Sequence, residues 1–481
     1  MGRQCGVTFA GVKDDQEDSK RAAAAGSELR FSGKNPIRRR RLMSLPELIE
    51  IVPLSEPVDA QINVPGSKSI TNRALILAAL GQGESTLKGA LWSEDTQVMA
   101  EALQALGYEV RVAADPRESG NRLIQVKGLG GVVPRAGTPE KPLELFVGNA
   151  GTAARFLAAL TCLGRGVYRL KGVSRMHERP QASLFEALRA LGYRVDSPNN
   201  RLPATVWGTG PRPGRCRVSV EESSQFASAL LLCAPAGGWQ VEVVGEDAEE
   251  SFYVAMTSKL IQRFPVEGGE FLIEPDASSG SYFLAADIIA PSQRIYPGTK
   301  ASPVETYQLS DINVAHWPVT GWQMDEAFSR YSALPSVISR LTDLGDSIMT
   351  AIVMAPLDQG PTRFTNLGRL RVQECERVIA LRTELTKCGA NVVEENDRLT
   401  VYPSQLHGAE IETYHDHRMA MCFAILGLKV PGIKIKNPAC VKKTFPNFFQ
   451  KLAAPPPRGL GVTILDVRTG RKLSLDELFA E

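Results

Sequence analysis

The sequence predicts an α/β fold assembled from duplicated units, and three observations carry that prediction. First, an amphipathic helix that ends at a glycine and runs straight into a strand occurs as Ala102-Leu-Gln-Ala-Leu-Gly-Tyr-Glu-Val and again as Ala187-Leu-Arg-Ala-Leu-Gly-Tyr-Arg-Val, with a looser copy at Glu384-Leu-Thr-Lys-Cys-Gly-Ala-Asn-Val. Second, Gly107 and Gly192 lie about 85 residues apart, too far for a solenoid repeat and suited to α/β units inside larger domains. Third, polar lead-ins rich in small residues precede helices at six places, which suggests helices packed side by side with their N-termini aimed at one cleft.

The chain has 481 residues, which suits two or three domains, and an apolar fraction of 43% that can fill large cores. In order, residues 1–42 mix Ala22–Ala25 with Asp14, Asp15, Glu17 and Asp18 and end in Arg38–Arg41. With no apolar run after those arginines, this stretch reads as a disordered tail, or as a start placed upstream of Met43. Val64-Pro-Gly-Ser-Lys-Ser-Ile-Thr-Asn-Arg-Ala is a strand, a Pro-Gly turn and a helix start. Ser67 or Ser69 can cap that helix, and Lys68 and Arg73 beside its positive end make a site for a phosphate or carboxylate. A nucleotide P-loop fits less well, because the first glycine of its signature is missing. The other five helix starts are Gly148-Asn-Ala-Gly-Thr-Ala-Ala-Arg, Glu222-Ser-Ser-Gln-Phe-Ala, Asp276-Ala-Ser-Ser-Gly-Ser-Tyr, Leu344-Gly-Asp-Ser-Ile-Met-Thr and Tyr414-His-Asp-His-Arg-Met-Ala. Ala290–Trp322, with Pro291, Pro297, Pro303 and Pro318, reads as loop with short edge strands, and the chain after Pro455-Pro-Pro as a small appended hairpin or helix.

A net charge of +2 argues against a nucleic-acid coat or a polybasic membrane surface, so any anion site must be local. Eight cysteines without a C-x-x-C pair, among them Cys162, Cys233 and Cys422 in apolar surroundings, read as reduced thiols of a cytoplasmic protein. Cations near the helix starts are Lys68, Arg73, Arg155, Arg179, Arg377, Arg418 and Lys443, several flanked by glycine, proline or apolar residues as a gripping cleft requires. Asp346 is either an N-cap or a general base facing those cations. Glu374 and Arg377, three apart, fall on one helix face, where Glu376 is a second possible partner. His415 and His417 flank Asp416 without a third metal ligand, and Ser223–Gln225 has no adjacent histidine for a nucleophilic triad.

Eight motifs taken together resemble the EPSP synthase (3-phosphoshikimate 1-carboxyvinyltransferase) family: Pro65-Gly-Ser-Lys-Ser-Ile-Thr-Asn-Arg-Ala, Gly148-Asn-Ala-Gly-Thr-Ala-Ala-Arg, Glu178-Arg-Pro, Glu222-Ser-Ser-Gln-Phe, Asp276-Ala-Ser-Ser, Arg371-Val-Gln-Glu, Asp416-His-Arg-Met-Ala-Met and Lys443-Thr-Phe-Pro. They keep the family's order across about residues 47–453. The resemblance implies a two-domain inside-out α/β barrel, each domain made of three βαβαββ repeats, with the active site in the interdomain cleft. One domain would comprise residues 46–66 plus 274–455, the other 67–273, with 456–481 a C-terminal extension. It also implies transfer of the enolpyruvyl group of phosphoenolpyruvate to the 5-hydroxyl of 3-phosphoshikimate, without metal or organic cofactor, by a cytoplasmic monomer. Carried over by position, Lys68, Ser69, Arg73, Ser223, Ser224, Gln225, Ser251, Asp346, Arg369 and Gln373 would hold 3-phosphoshikimate. Lys68, Asn149, Gly151, Arg179, Gln225, Arg377, Arg418 and Lys443 would hold phosphoenolpyruvate. Asp346 would take the proton of the attacking hydroxyl, and Glu374 with Lys68 would protonate the enol methylene.

The chain departs from the family at three places. Gln373 stands where the family has lysine, and Arg369 where it has asparagine, so one cation is lost and partly replaced. Where the family has a phosphate-binding serine, Glu250-Ser-Phe-Tyr stands instead, so that serine is either displaced to Ser251 or missing. Thr342-Asp-Leu-Gly-Asp differs from the usual sequence before the base, which leaves Asp343 as an alternative to Asp346. The competing readings are an enolpyruvyl transferase with another acceptor and a non-catalytic anion-binding paralogue. UDP-N-acetylglucosamine enolpyruvyl transferase is disfavoured because the glycine-rich loop has no cysteine, and an RNA-end enzyme by the near-zero charge.

Overall fold

Two hydrophobic cores divide the chain between them, and the first is enclosed by the second in sequence. The computed structural model describes residues 45–245, 248–291, 293–295, 306–308 and 310–480, without the side chains of 248–251, 293–295 and 306–308. One core runs from Ile70 to Ile273. The other draws on Leu45–Val64 and Tyr282–Ala480.

The first lobe contains α1 (Lys68–Leu80), α2 (Glu94–Ala105), α3 (Gly151–Cys162), α4 (Ser174–Glu178), α5 (Ala182–Ala190), α6 (Ser224–Gly237) and α7 (Ala248–Arg263). The second contains α8 (Ala277–Ile289), α9 (Ile348–Met354), α10 (Arg377–Lys387), α11 (His417–Leu426) and α12 (Phe448–Ala453). Every residue of α3, α9 and α11 is buried, as expected of helices that are apolar or small-sided all round. Mutual packing joins α1, α3 and α6 in the first lobe and α8, α9 and α11 in the second. These six central helices are the six with polar lead-ins. Helices lie inside and sheets outside, the two-domain α/β arrangement that the resemblance implies.

The sheets repeat one pattern. Leu143–Phe146 lies parallel to Arg165–Lys171, which pairs antiparallel with Ala204–Thr209, which pairs with Arg194–Asp196. The same order holds for Gly269–Leu272, Gln82–Leu91, Asn121–Leu129 and Val110–Ala114. In the second lobe it holds for Val337–Ser339, Thr362–Thr365, Arg398–Tyr402 and Asn391–Glu395. The repeated helix–glycine–strand junction is thus the step from α2, α5 or α10 into an outer strand. Gly107, Gly192 and Gly389 make that step at φ of 92°, 86° and 90°, left-handed values that a residue with Cβ resists.

A fourth sheet of this kind is completed by the chain ends. Glu410–Ile411 lies parallel to Ile433–Lys436, which pairs with Leu48–Ile51, and the edge strand is Ile464–Asp466. The segment expected as an appended hairpin or helix therefore enters the sheet as a strand, and Leu460, Val462, Leu473 and Leu478 are buried in the second core. Of the irregular Ala290–Trp322 stretch, Asp311–Val314 forms a parallel pair with Asp59–Ile62. No described helix is long and apolar enough to cross a membrane.

The chain passes between the lobes twice, side by side. Gly66 bridges Pro275, Ser67 N donates to Glu274 O at 2.9 Å, and Asp276 N donates to Pro65 O at 2.9 Å. A Cβ on Gly66 would stand 1.9 Å from the Gly89 carbonyl oxygen, which is why the crossing needs glycine.

Candidate active site

One cleft, with about 1400 Å³ of open space, receives the starts of all six central helices. Lys68 and Ser69 line it from α1, Thr152 and Arg155 from α3, and Ser224 and Gln225 from α6. The second lobe adds Ser278 from α8, Asp346 just ahead of α9, and His417 and Arg418 from α11. Side chains cap three of these helices: Ser223 accepts from Gln225 N, Asp276 from Ser279 N and Asp416 from Arg418 N. Ser67 and Ala150 make no side-chain cap, so the first N–H groups of α1 and α3 stay directed at the cleft and add to its attraction for anions. The cap of α9 is Ser347, so Asp346 is not its own helix's cap and faces cations instead.

Two carboxylates sit among those cations. Asp346 is 2.9 Å from Arg418, 3.2 Å from Arg340 and 3.8 Å from Arg377. Burial alone would raise its pKa, yet the three guanidinium groups hold it well below the usual carboxylate range. Glu374 is 2.8 Å from Arg377 and 3.1 Å from Lys443. It follows the same pattern, burial being overridden by Lys443 and Arg377. Glu374 does not share a helix face with Arg377, because α10 begins at Arg377 and is capped by Glu376, which accepts from Ile379 N. The pair forms across the bend before the helix. Arg377, 1% exposed, also grips Asp416 at 2.7 and 3.2 Å and reaches the Gln373 side-chain oxygen.

The remaining expected residues fall around this centre. Lys68 pairs with Asp95 at 3.3 Å. Arg73 lines the cleft but spends its guanidinium on Thr257, Ser228 and the Ser69 carbonyl, 5.4 Å over the Phe156 ring, and so ties α1 to α6 and α7. Arg155 donates to the Pro180 carbonyl at 2.8 Å and approaches Gln225 at 3.5 Å. Arg179 donates to the Asn149 carbonyl at 3.2 Å. Both arginines press against Gly151, where a Cβ would lie 2.3 Å from Arg155 and 2.8 Å from Arg179. The Asn149 side-chain oxygen is buried without a hydrogen-bond partner among the described residues. Asn149, Gly151 and Lys443 stand behind the lining rather than in it, and Ser223 and Gln373 are in it. The side chain of Ser251 lies outside the described residues. Among the side-chain contacts between the lobes, two involve lining residues: Arg369 donates to the Glu222 carbonyl, and Arg175 to the Gln373 carbonyl at 3.4 Å. Asp343 accepts from Ser339 N at 2.8 Å and is absent from the lining, which favours Asp346 of the two candidates.

Among the charged or titratable residues of the lining and its support, Asp95, Arg340, Asp325 and His417 are not candidates on sequence alone. Asp95, Arg340 and Asp325 sit in stretches without a motif signal. His417 lies inside a motif, where it reads as half of an incomplete metal pair. It is 1% exposed, and burial together with Arg418 pushes its pKa well down, so the ring is neutral. No cluster of three potential metal ligands exists among the described residues.

Known proteins resemble the chain along nearly all of this architecture. A family model described as EPSP synthase (3-phosphoshikimate 1-carboxyvinyltransferase) matches residues 52–452. A 3-phosphoshikimate 1-carboxyvinyltransferase of Trichormus variabilis is 38% identical over 429 residues, covering 84% of this chain and 98% of the relative. One from Psychromonas ingrahamii is 39% identical over 422 residues, covering 82% and 97%. Among solved structures, the EPSP synthase of Acinetobacter baumannii superposes with a TM-score of 0.62 at 18% identity, covering 87% of this chain and all (100%) of that one.

Proposed function

The chain belongs to the EPSP synthase family, and from that premise we propose that its cleft transfers the enolpyruvyl group of phosphoenolpyruvate to the 5-hydroxyl of 3-phosphoshikimate, releasing phosphate. This is a step of the shikimate pathway toward chorismate and the aromatic amino acids. The observation that carries the reading is the pair of carboxylates, Asp346 and Glu374, each held among cations where six helix starts converge. Two phosphorylated carboxylic acids need such a density of cations and N–H donors to sit side by side.

In the proposed mechanism, Asp346 takes the proton of the 5-hydroxyl as its oxygen attacks C2 of phosphoenolpyruvate. The methylene at C3 gains a proton from the Lys68 ammonium, with Glu374 beside it. The tetrahedral adduct then collapses: C3 gives a proton back, the C–O bond to phosphate breaks, and the enol ether forms. Arg377 and Arg418 have a double part. They pair with Asp346 and also belong to the proposed phosphoenolpyruvate set, so that anion would share their charge and leave Asp346 a somewhat stronger base, with Arg340 still beside it. Lys68, Asn149, Gly151, Arg179, Gln225, Arg377, Arg418 and Lys443 are the proposed phosphoenolpyruvate set. Lys68, Ser69, Arg73, Ser223, Ser224, Gln225, Ser251, Asp346, Arg369 and Gln373 are the proposed 3-phosphoshikimate set.

Residues 46–66 plus 274–455 and 67–273 are the two domains proposed to close on the substrates, with 456–481 as an extension of the first. We also propose that the enzyme works as a monomer. Free cysteines at all seven described positions support a reducing, cytoplasmic setting. The test is phosphate release by purified protein given both substrates. Turnover is expected, and folded protein that binds either substrate without releasing phosphate would end the proposal. Asp346→Ala should abolish turnover and leave 3-phosphoshikimate binding largely intact.

A further inference from the structure

Asp325 is a buried carboxylate that none of the roles above uses, yet it lines the same cleft. Its oxygens accept from Ser347 N at 3.1 Å, from Ser347 Oγ at 2.6 Å and from Ser278 Oγ in a short contact. On the other side of Asp346, Gly345 packs so close that a Cβ there would lie 3.2 Å from the Asp325 carboxylate. The backbone of 345–347 is therefore wrapped on this one side chain. Two residues earlier, Gln323 accepts from Ala277 N at 3.0 Å and donates to Glu274 and to the Pro275 carbonyl at 2.9 and 2.8 Å. That fixes the Gln323–Asp325 segment to the crossing between lobes and to the start of α8. No ion pair among the described residues reaches Asp325.

We propose that Asp325 is the positioning residue for Asp346: it holds the backbone on both sides of it and supplies a like charge that keeps it able to accept a proton. The proposal rests on Asp346 being the base. The charged groups facing Asp346 are Arg340, Arg377, Arg418, Glu374 and Asp325, and those facing Asp325 are Asp346 and Arg418, with the hydroxyls of Ser278 and Ser347. Three arginines would make Asp346 a very weak base, and a neighbouring negative charge works against them. Consistent with this closeness, burial and then Asp346 push the Asp325 pKa up. A carboxylate in a cation-rich cleft hinders anion binding, so its presence calls for a gain elsewhere, and base strength is that gain.

The test is phosphate release measured across pH. Removing the charge in D325N should lower kcat about tenfold, leave both KM values within about threefold, and move the acidic limb of kcat down by about one pH unit. D325E keeps the charge but displaces the carboxylate, so kcat falls and the limb stays. G345A pushes a methyl against the carboxylate and should lower kcat several-fold with KM unchanged. Folded D325N with an unmoved acidic limb overturns the proposal. If D325N does not fold, unchanged kcat in G345A overturns it. D346N separates the two levels: full turnover in D346N refutes the base and Asp325's part with it, whereas a dead D346N beside an unshifted D325N refutes Asp325's part alone.

Discussion

Replacing Asp416 by asparagine tests the electrostatic account of the cleft most directly. Asp416 is wholly buried and accepts from Arg377 Nε at 2.7 Å, from a second Arg377 nitrogen at 3.2 Å and from Arg418 N at 2.9 Å. Asparagine keeps one accepting oxygen and turns an NH2 toward a guanidinium or a backbone N–H, so at least one of those bonds becomes a donor facing a donor. Breaking a buried ion pair by removing one partner costs about 3–5 kcal/mol. Arg377 keeps Glu374 at 2.8 Å and Asp346 at 3.8 Å, which places the expected loss at the lower end. At roughly 2–4 °C per kcal/mol, a loss of about 3 kcal/mol lowers Tm by about 6–12 °C. Arg377 also loses its anchor, so the KM for phosphoenolpyruvate should rise by at least about tenfold, the factor worth about 1.4 kcal/mol. Thermal melts and steady-state kinetics read both. A D416N protein melting within about 2 °C of the parent, with unchanged KM, refutes the reasoning, because such a shift is about 1 kcal/mol or less, well short of the roughly 3 kcal/mol expected for breaking a buried ion pair. The double variant R377M/D416N should melt above D416N, since removing both partners leaves no stranded charge.

Other outcomes follow from the same geometry. Lys68→Ala should raise the KM of both substrates and lower kcat; a change confined to one substrate would remove Lys68 from the junction between them. Stability should fall with acid: Asp346 and Glu374 have folded pKa values below their unfolded ones, so their contribution is complete above about pH 5 and is lost progressively as pH falls below that. Chemical denaturation from pH 7 to pH 3 reads this, and E374Q should flatten the profile. Gly66→Ala should destabilise the fold by at least about 2 kcal/mol, because its Cβ meets the Gly89 carbonyl; an unshifted denaturation midpoint would show that the crossing is looser than described.

The parts of the site legible in the sequence are those written into helix starts. Lys68, Ser224, Arg418 and their neighbours carry cap residues, glycines and small side chains in one short window, and a window is what sequence reading sees. The repeated glycine exits at Gly107, Gly192 and Gly389 gave the α/β duplication for the same reason. Arg340 lay beyond reach because it stands just past the edge strand Val337–Ser339, and only that strand's register against Thr362–Thr365 delivers it to Asp346. Asp325 and Asp95 join the site through tertiary contacts alone. For Glu374 the motif gives the partner Arg377 but not the element, since a spacing of three fits a helix face and a bend equally well, and the structure makes it a bend.

The paired crossings at Gly66 and Pro275 also govern how such a chain can be made. The second core needs strands from both ends of the molecule, Leu48–Ile51 meeting Ile433–Lys436, with the whole first lobe strung between them. Closing a flexible loop of about 200 residues costs roughly 5 kcal/mol of chain entropy. Once the inner lobe has folded, its two ends already lie one hydrogen-bonded bridge apart, and the outer core meets a short connection in place of a long one. Assembly from the inside outward thus removes the long-range penalty before the outer sheets must form.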